Sequence, residues 1–376
     1  MNYPRPRIPT KGAKALAPWL ALIPYVLYGL FIIRADRGPV DYETFMAIGH
    51  RFLSGASPYG PNSYYPLPFV ILFAALSALP RAISMAIWFF GPLAVFLMTA
   101  GWDPWVLLFA PVFAHFVGGQ ADVFAVLGLW GFHKNTRGLG GAWLALTLLK
   151  PQLALVPVTY AIVHWIILLR KTRAFPKPLL QFLGASALVY IPACVLLPTW
   201  PLQWLANPRP LFERAMSAII PRTLLVMGIP PNTAAYWVIL VAAAFILLVI
   251  VWHLARRRVT LALSVVWGFV VSPLVHDYDL VQLVPILATR REHLAAILSS
   301  LPGWLVIIFM YGNDKAWYVF SFIAPVLLAV MLREVRGNSV GQSTHNVVAA
   351  AEHLAEADPA GRAFGAACHA RSLAVE

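Results

Sequence analysis

Five polar constellations interrupt a chain that is otherwise strongly apolar. The first is Asp41-Tyr42-Glu43, which opens the segment DYETFMAIGHRFLSGASPYGPNSYYPLP. A Gly-Ala-Ser-Pro-Tyr turn ending at Tyr59 and the step Tyr64-Tyr65-Pro66 close that segment. A carboxylate here suits general-base work or capping of free backbone amides. The spacing of Ala47, His50 and Leu53 predicts a short helix between acid and turn, with Asp41 at its N-cap. The second is Gly118-Gly119-Gln120-Ala121-Asp122. Its glycines let the chain turn and let a ligand approach the backbone, Gln120 offers both a donor and an acceptor, and Asp122 is expected to cap the next helix. The third is Lys150-Pro151. An ammonium inside the apolar stretch from Leu139 to Leu169 has to face a cavity, an anion or an interface, or snorkel to the membrane edge; the proline breaks the helix there. The fourth is SPLVHDYD, Ser272 to Asp279, where His276 and Asp277 suit a sugar or phosphate better than a metal, because no ligand motif of firm spacing accompanies them. The fifth is the segment from about 199 to 232, with Trp200, Trp204, Arg209, Glu213, Arg214 and Arg222. Its tryptophans read as interfacial residues, and Arg222 as a cation for an anionic group. For each constellation the simpler reading, a helix cap or a solvated loop, stands beside the functional one.

The elements that must position these residues are set by composition. Hydrophobic residues make up 60% of the 376, charged residues 11%, and the mean hydropathy is +0.73. A soluble domain carries about 25% charged residues, so the chain reads as an all-α integral membrane protein. The net charge of +13 does not indicate nucleic acid, because Lys and Arg sit in short clusters between apolar runs, as orientation signals do. One of the two cysteines, Cys194, lies in an apolar run and the other, Cys368, in the C-terminal tail, which argues against a disulfide. The first apolar run is long enough to span and no small-residue cleavage site follows it, so it reads as an uncleaved membrane helix.

Thirteen apolar runs are candidates: 17–34, 65–80, 82–100, 104–117, 120–132, 139–150, 151–170, 178–198, 233–255, 259–273, 279–289, 294–311 and 316–333. Several fall short of the roughly 20 residues a lipid-exposed span needs. Short helices of this kind imply a bundle whose breaks line a protein cavity. Basic clusters at Arg5 to Lys14, Arg170 to Lys177, Arg256 to Arg258, Arg290-Arg291 and Arg333 to Arg336 are all placed in the cytoplasm by the positive-inside rule. That assignment works if 65–80 lies along the outer interface instead of crossing. About twelve spans then remain, with both termini cytoplasmic and the acids, including Asp36, Asp41, Glu43, Asp122, Asp277 and Asp314, near the outer face. The organisation expected is a cytoplasmic N-terminus at 1–16, a transmembrane domain at 17–335, and a flexible Ala-rich tail at 336–376. No Walker loop, GxGxxG, HExxH or paired CxxC occurs, so nucleotide chemistry is not indicated.

Taken in order, DYETFMAIGHRFLSGASPY with YYPLP, GGQADVFAVLGL, GGAWLALTLLKP and SPLVHDYDLVQLVP resemble membrane glycosyltransferases of the GT-C class, and specifically glycosyltransferase family 87, the polyprenol-phosphate-mannose-dependent mannosyltransferase-like proteins. The resemblance covers roughly 17–333. It implies a GT-C bundle in the plasma membrane that takes a sugar, mannose in the family, from a polyprenyl phosphate at the outer face and passes it to a lipid or glycan acceptor, with no cofactor beyond the donor. By position it makes Asp41 the general base and Glu43, Tyr59, Tyr65, Gln120, Asp122, Lys150, Arg222, His276 and Asp277 candidates for substrate binding. Many relatives carry paired acids in the first outer loop; here Asp-Tyr-Glu separates them by one residue. The chemistry is coherent by itself. An attacking hydroxyl needs one base, while a leaving phosphate is already a stable anion and needs only cations and hydrogen-bond donors, unlike glycoside hydrolysis with its second carboxyl. A base and a leaving group on opposite faces of the sugar would invert its anomeric centre. The lipid chain is expected in a groove beside the 65–80 helix. The rival reading is a secondary transporter or flippase, which would also line a cavity with charges but is expected to show internal repeats.

Overall fold

The computed structural model describes residues 17–60, 63–135, 138–207, 218–256, 258–310, 313 and 316–336. The expected N-terminal segment, the tail from 337, and Arg209, Glu213, Arg214, Arg257 and Asp314 lie outside them. Within the described residues the chain is helical, with no strand. In chain order the helices are α1 (Leu22–Arg34), α2 (Val40–Leu53), α3 (Leu67–Ser77), α4 (Arg81–Thr99), α5 (Ala110–Gly118), α6 (Val123–Lys134), α7 (Gly140–Ala145), α8 (Pro151–Thr172), α9 (Lys177–Leu196), α10 (Trp200–Ala206), α11 (Ile219–Val226), α12 (Ala234–Leu254), α13 (Leu261–Val271) and α14 (Arg290–Phe309). A last helical segment, α15, covers Ala316–Arg336. Tighter 3-10 stretches occupy Pro104–Leu108, Leu146–Leu149 and Tyr278–Ile286.

Six of these helices are long and apolar enough to cross a membrane: α4, α8, α9, α12, α14 and α15. Twelve were expected. The shortfall has a local cause. The runs at 104–117, 120–132 and 139–150 are cut by Gly119 and Asn135, both in the left-handed region, and by Lys150, which leaves helical geometry at φ −125°, and the run at 279–289 forms only the short 3-10 stretch that ends at Ile286. At 1.5 Å per residue, the 12 residues of α6 rise only ~18 Å, against a hydrocarbon core of about 30 Å. These pieces survive because they are wrapped in protein: α6 buries Ala125, Val126 and Leu129, and the Tyr278–Ile286 stretch buries nearly every residue. The longer helices expose their apolar faces instead. α9 and α12 present Leu188, Val195, Val241 and Phe245 outward, which is the surface a lipid environment covers.

The 65–80 helix corrects the expectation of an interfacial element. α3 is too short to cross, but Leu67, Phe69, Val70 and Phe73 are fully buried on it, so it is an interior helix against α2. Phe45 of α2 stacks on Phe73 of α3 at 4.4 Å with rings nearly parallel, and Trp88 of α4 meets both edge-on. Each such aromatic pair adds about 0.5–1.5 kcal/mol beyond its area. Tyr42 of α2 donates to Ser84 Oγ of α4 at 3.0 Å, which sets α2 across the top of that packing.

Helices α7 and α9 approach so closely that a Cβ on Gly141 would lie 1.8 Å from the Pro178 carbonyl oxygen, a backbone atom that cannot step aside. Gly141→Ala is therefore expected to destabilise the fold by about 1–3 kcal/mol through overpacking. Gly184→Ala, where nothing stands within 4 Å of the new carbon, should be neutral or stabilising by up to ~1 kcal/mol. Thermal midpoints of the purified variants measure both, and equal midpoints would refute the close approach.

Candidate functional site

Breaks between short helices bring the polar residues together. The left-handed Gly119, at φ +72°, ends α5. A Cβ there would meet Pro39 at 2.7 Å, so the turn needs glycine and lies directly against the start of α2. Trp88 Nε1 holds the Gly119 carbonyl at 3.0 Å. The turn aims Gln120 at α2, where its amide donates to Asp41 Oδ2. Asp41 Oδ1 accepts no hydrogen bond among the described residues. The helix between acid and turn forms as expected, but it begins at Val40 with Pro39 as N-cap. Asp41 is thus a first-turn residue facing Gln120.

Asp122, two residues further on, is fully buried, and so is Lys150. The Lys150 ammonium donates to Asp122 Oδ1 and, at 2.7 Å, to Asp279 Oδ1. His115 Nδ1 lies 3.3 Å from the other Asp122 oxygen, and the His276 backbone N–H donates to Asp279 Oδ2 at 2.7 Å. Asp122 stands at the N-cap position of α6 but makes no cap hydrogen bond; its carboxylate is turned to the ammonium, a stronger partner for a buried charge. Lys150 reaches this place because Pro151 starts α8 behind it. Snorkelling to the surface is excluded by its burial. Its charge sits 5.0 Å from the centre of the Tyr278 ring, on which His276 stacks at 4.9 Å. Tyr65 belongs to the same neighbourhood, within reach of the charges of Lys150, Asp41, Asp122 and Asp279.

Burial pushes the Asp41 carboxyl up to about 6, against the pull of Lys150. In the loop before Tyr278, burial drives the half-buried His276 down to about 3, so its imidazole is neutral near pH 7 and acts as a hydrogen-bonding group. Burial likewise raises Asp277 to about 7, with Arg222 among the groups opposing it. Arg222 itself lies over the Tyr318 ring, 3.1 Å from its centre. Among the described residues no three His, Cys, Asp or Glu side chains form a group able to hold a metal ion.

Three of the candidate residues are engaged within the protein. Glu43 does not join Asp41: it accepts from the Gly38 N–H at 2.7 Å and pairs with Arg81, which also bonds Asp36 at 2.8 Å. Tyr59 packs against the small apolar cluster of Ile48, Leu67 and Trp200, near the other end of α2. Lys150, expected to meet substrate, is instead engaged by two carboxylates. Sequence reading passed over His115 and Asp279 as site residues. His115 was hidden in an apolar helix. Asp279 was visible as the last residue of the SPLVHDYD constellation, at the head of the apolar run Leu280–Ile286, but was not singled out with His276 and Asp277.

Next to the 272–276 loop, Gln152, Ser272 and Gln282 open onto a cavity of about 340 Å³ between α8, α12 and α13, with otherwise apolar walls. Leu155, Val156 and Trp267 are shared with a second cavity of about 560 Å³ that extends toward His164 and Ile167. The two follow α8 for ~22 Å at 1.5 Å per residue. Compared with known proteins, the chain has no matching family model, no matching curated protein and no matching solved structure.

Replacing Lys150 by Met leaves Asp122 and Asp279 buried without a counter-charge, a change that costs about 3–5 kcal/mol. The triple variant Lys150→Met, Asp122→Asn, Asp279→Asn removes the charges together and should recover much of that loss. Thermal unfolding in detergent checks the pair of values. A Lys150→Met protein as stable as the parent would contradict the buried network.

Proposed function

We propose that the chain is a membrane glycosyltransferase that moves a sugar, mannose by resemblance, from a polyprenyl phosphate to a lipid or glycan acceptor at the outer face of the plasma membrane, with Asp41 as general base. The observation that carries this reading is the state of Asp41. It is a half-buried carboxylate with one oxygen held by Gln120, the other open, and a pKa near 6, the range that suits a base working near neutrality. In the reaction the acceptor hydroxyl gives its proton to Asp41 Oδ1 as its oxygen attacks the anomeric carbon. The bond from that carbon to the phosphate oxygen breaks, and the lipid phosphate departs with the electron pair. Arg222 and the neutral His276 are the nearby groups that suit a departing anion, because the Lys150 charge is already matched.

The reading also draws support from the apolar groove along α8. Its polar mouth at Gln152 and Ser272 adjoins the site, and its length suits several isoprene units. In this proposal the lipid lies there, and not beside α3, which is packed inside.

Asp41→Asn should abolish sugar release from a polyprenyl-phosphate donor while leaving the thermal midpoint near that of the parent. Mass spectrometry of the freed lipid phosphate reads the outcome, and undiminished transfer would remove Asp41 from the role. In the parent the rate should climb as pH rises through about 6, where Asp41 loses its proton. Stability runs the other way. Folding favours the protonated carboxyl, so this group's contribution is complete below the ordinary carboxylate range of about 3.9 and is lost as pH rises through about 6. Ala244→Trp, which fills the groove, should raise KM for the lipid donor by about tenfold, with kcat little changed, as expected when uniform binding is lost.

A further inference from the structure

At the other end of α2, about 15 Å from Asp41 at 1.5 Å per residue, the turn closing the first polar segment folds back against α10. The carbonyls of this corner are satisfied. Asn207 Nδ2 donates to Gly60 O at 3.2 Å and to Ser63 O at 2.6 Å, and Trp204 Nε1 donates to Tyr64 O at 2.9 Å. Its side-chain donors are not. Arg51 Nε, Tyr59 Oη, Ser63 Oγ and Trp200 Nε1 are all buried atoms with no hydrogen-bond partner among the described residues. Ser63 is fully buried and Trp200 is 5% exposed. The four belong to one neighbourhood. Arg51 Nη1 lies 3.0 Å from where a Gly60 Cβ would stand, Ser63 N–H donates to Gly60 O at 3.1 Å, and Tyr59 and Trp200 share the cluster built on Ile48, Leu67 and Val70.

Buried polar atoms are nearly always paired, and orphans gathered at one corner call for a partner from outside the chain. Their chemistry specifies it. Arg and Trp nitrogens only donate, and Tyr and Ser hydroxyls donate as readily as they accept. No carboxylate is paired with Arg51 among the described residues. The complement is a group rich in acceptor oxygens that carries negative charge.

We propose that Arg51, Tyr59, Ser63 and Trp200 form a phosphate-binding site, separate from the Asp41 site, that holds the phosphate of an acceptor headgroup. The acceptor assignment rests on the glycosyltransferase reading; the phosphate site does not. The corner and the base lie at the two ends of α2, and Tyr65, two residues past Ser63, comes within reach of the charges of Lys150 and Asp41. A headgroup phosphate anchored at Arg51 would leave a sugar hydroxyl one short oligosaccharide away from the base.

The test uses the full chain in detergent and native mass spectrometry with three probes: short-chain phosphatidic acid, the matching diacylglycerol, and inorganic phosphate. Phosphatidic acid should bind, diacylglycerol should not, and Arg51→Gln and Ser63→Ala should each weaken phosphatidic acid binding about tenfold or more. Binding of inorganic phosphate, lost in the same variants, would assign the site to the oxyanion alone, whereas phosphatidic acid binding without it would assign the site to a lipid phosphate. Thermal midpoints verify folding, and Tyr59→Phe, which deletes only a hydroxyl, provides a milder variant. Equal binding of diacylglycerol, or parent-like binding by both Arg51→Gln and Ser63→Ala, overturns the site. Asp41→Asn should bind phosphatidic acid as the parent does. Loss of transfer in Asp41→Asn alongside absent phosphate binding would therefore sink this site and leave the glycosyltransferase reading standing.

Discussion

One ammonium organises this protein. Lys150 lies in a bundle where apolar side chains surround it, and a charge there is tolerated only when it is matched and hydrogen-bonded. Asp122 and Asp279 supply the match. They come from the start of α6 and from the segment after α13, so the contact ties three interruptions of the helical bundle to one point. His115 and the His276 backbone extend it to the end of α5 and to the 272–276 loop. Removing any one member leaves a buried charge or donor uncompensated. The arrangement of every segment that carries a candidate site residue near Asp41 depends on this balance.

The short helices follow from the same constraint. A helix of nine or twelve residues cannot cross a membrane, and its ends expose backbone groups that lipid cannot satisfy. Here those ends are buried and served by protein partners. Trp88 holds the Gly119 carbonyl and Tyr25 of α1 holds the Leu107 carbonyl at 2.9 Å; within the long α8, Gln282 holds at 3.0 Å the Leu153 carbonyl that Pro157, lacking an N–H, leaves free. The longer helices form the apolar exterior, and the broken ones form the interior where polar groups can meet. Asp41 sits at the edge of that interior, buried enough to shift its carboxyl and open enough to leave one oxygen free.

Aromatic packing sets the position of α2, and so of both its ends. Phe45, Phe73, Trp88 and Tyr65 interlock between α2, α3 and α4. The helix is a rigid bar with a carboxylate at one end and a corner of unused donors at the other. Sites on such an element keep their separation, a useful property where two parts of one ligand must be held at once.

Composition alone determined that the chain is a helical membrane protein. Residue types alone located the breaks at Gly118-Gly119 and Lys150-Pro151, because glycine and proline act on the backbone locally. The helix inside the first polar segment was legible from the spacing of Ala47, His50 and Leu53, and Asp41, Gln120, Asp122 and Lys150 stood out as polar groups in apolar surroundings. Only the tertiary structure decided how they pair. Lys150 meets carboxylates 28 and 129 positions away, and nothing in local spacing marks such partners. It also separated Asp41 from Glu43. At 3.6 residues per turn, two positions apart means roughly 200° around the helix, so one acid faces Gln120 and the other Arg81. Which runs form helices long and apolar enough to cross a membrane was decided there as well, because hydropathy does not show where a helix breaks.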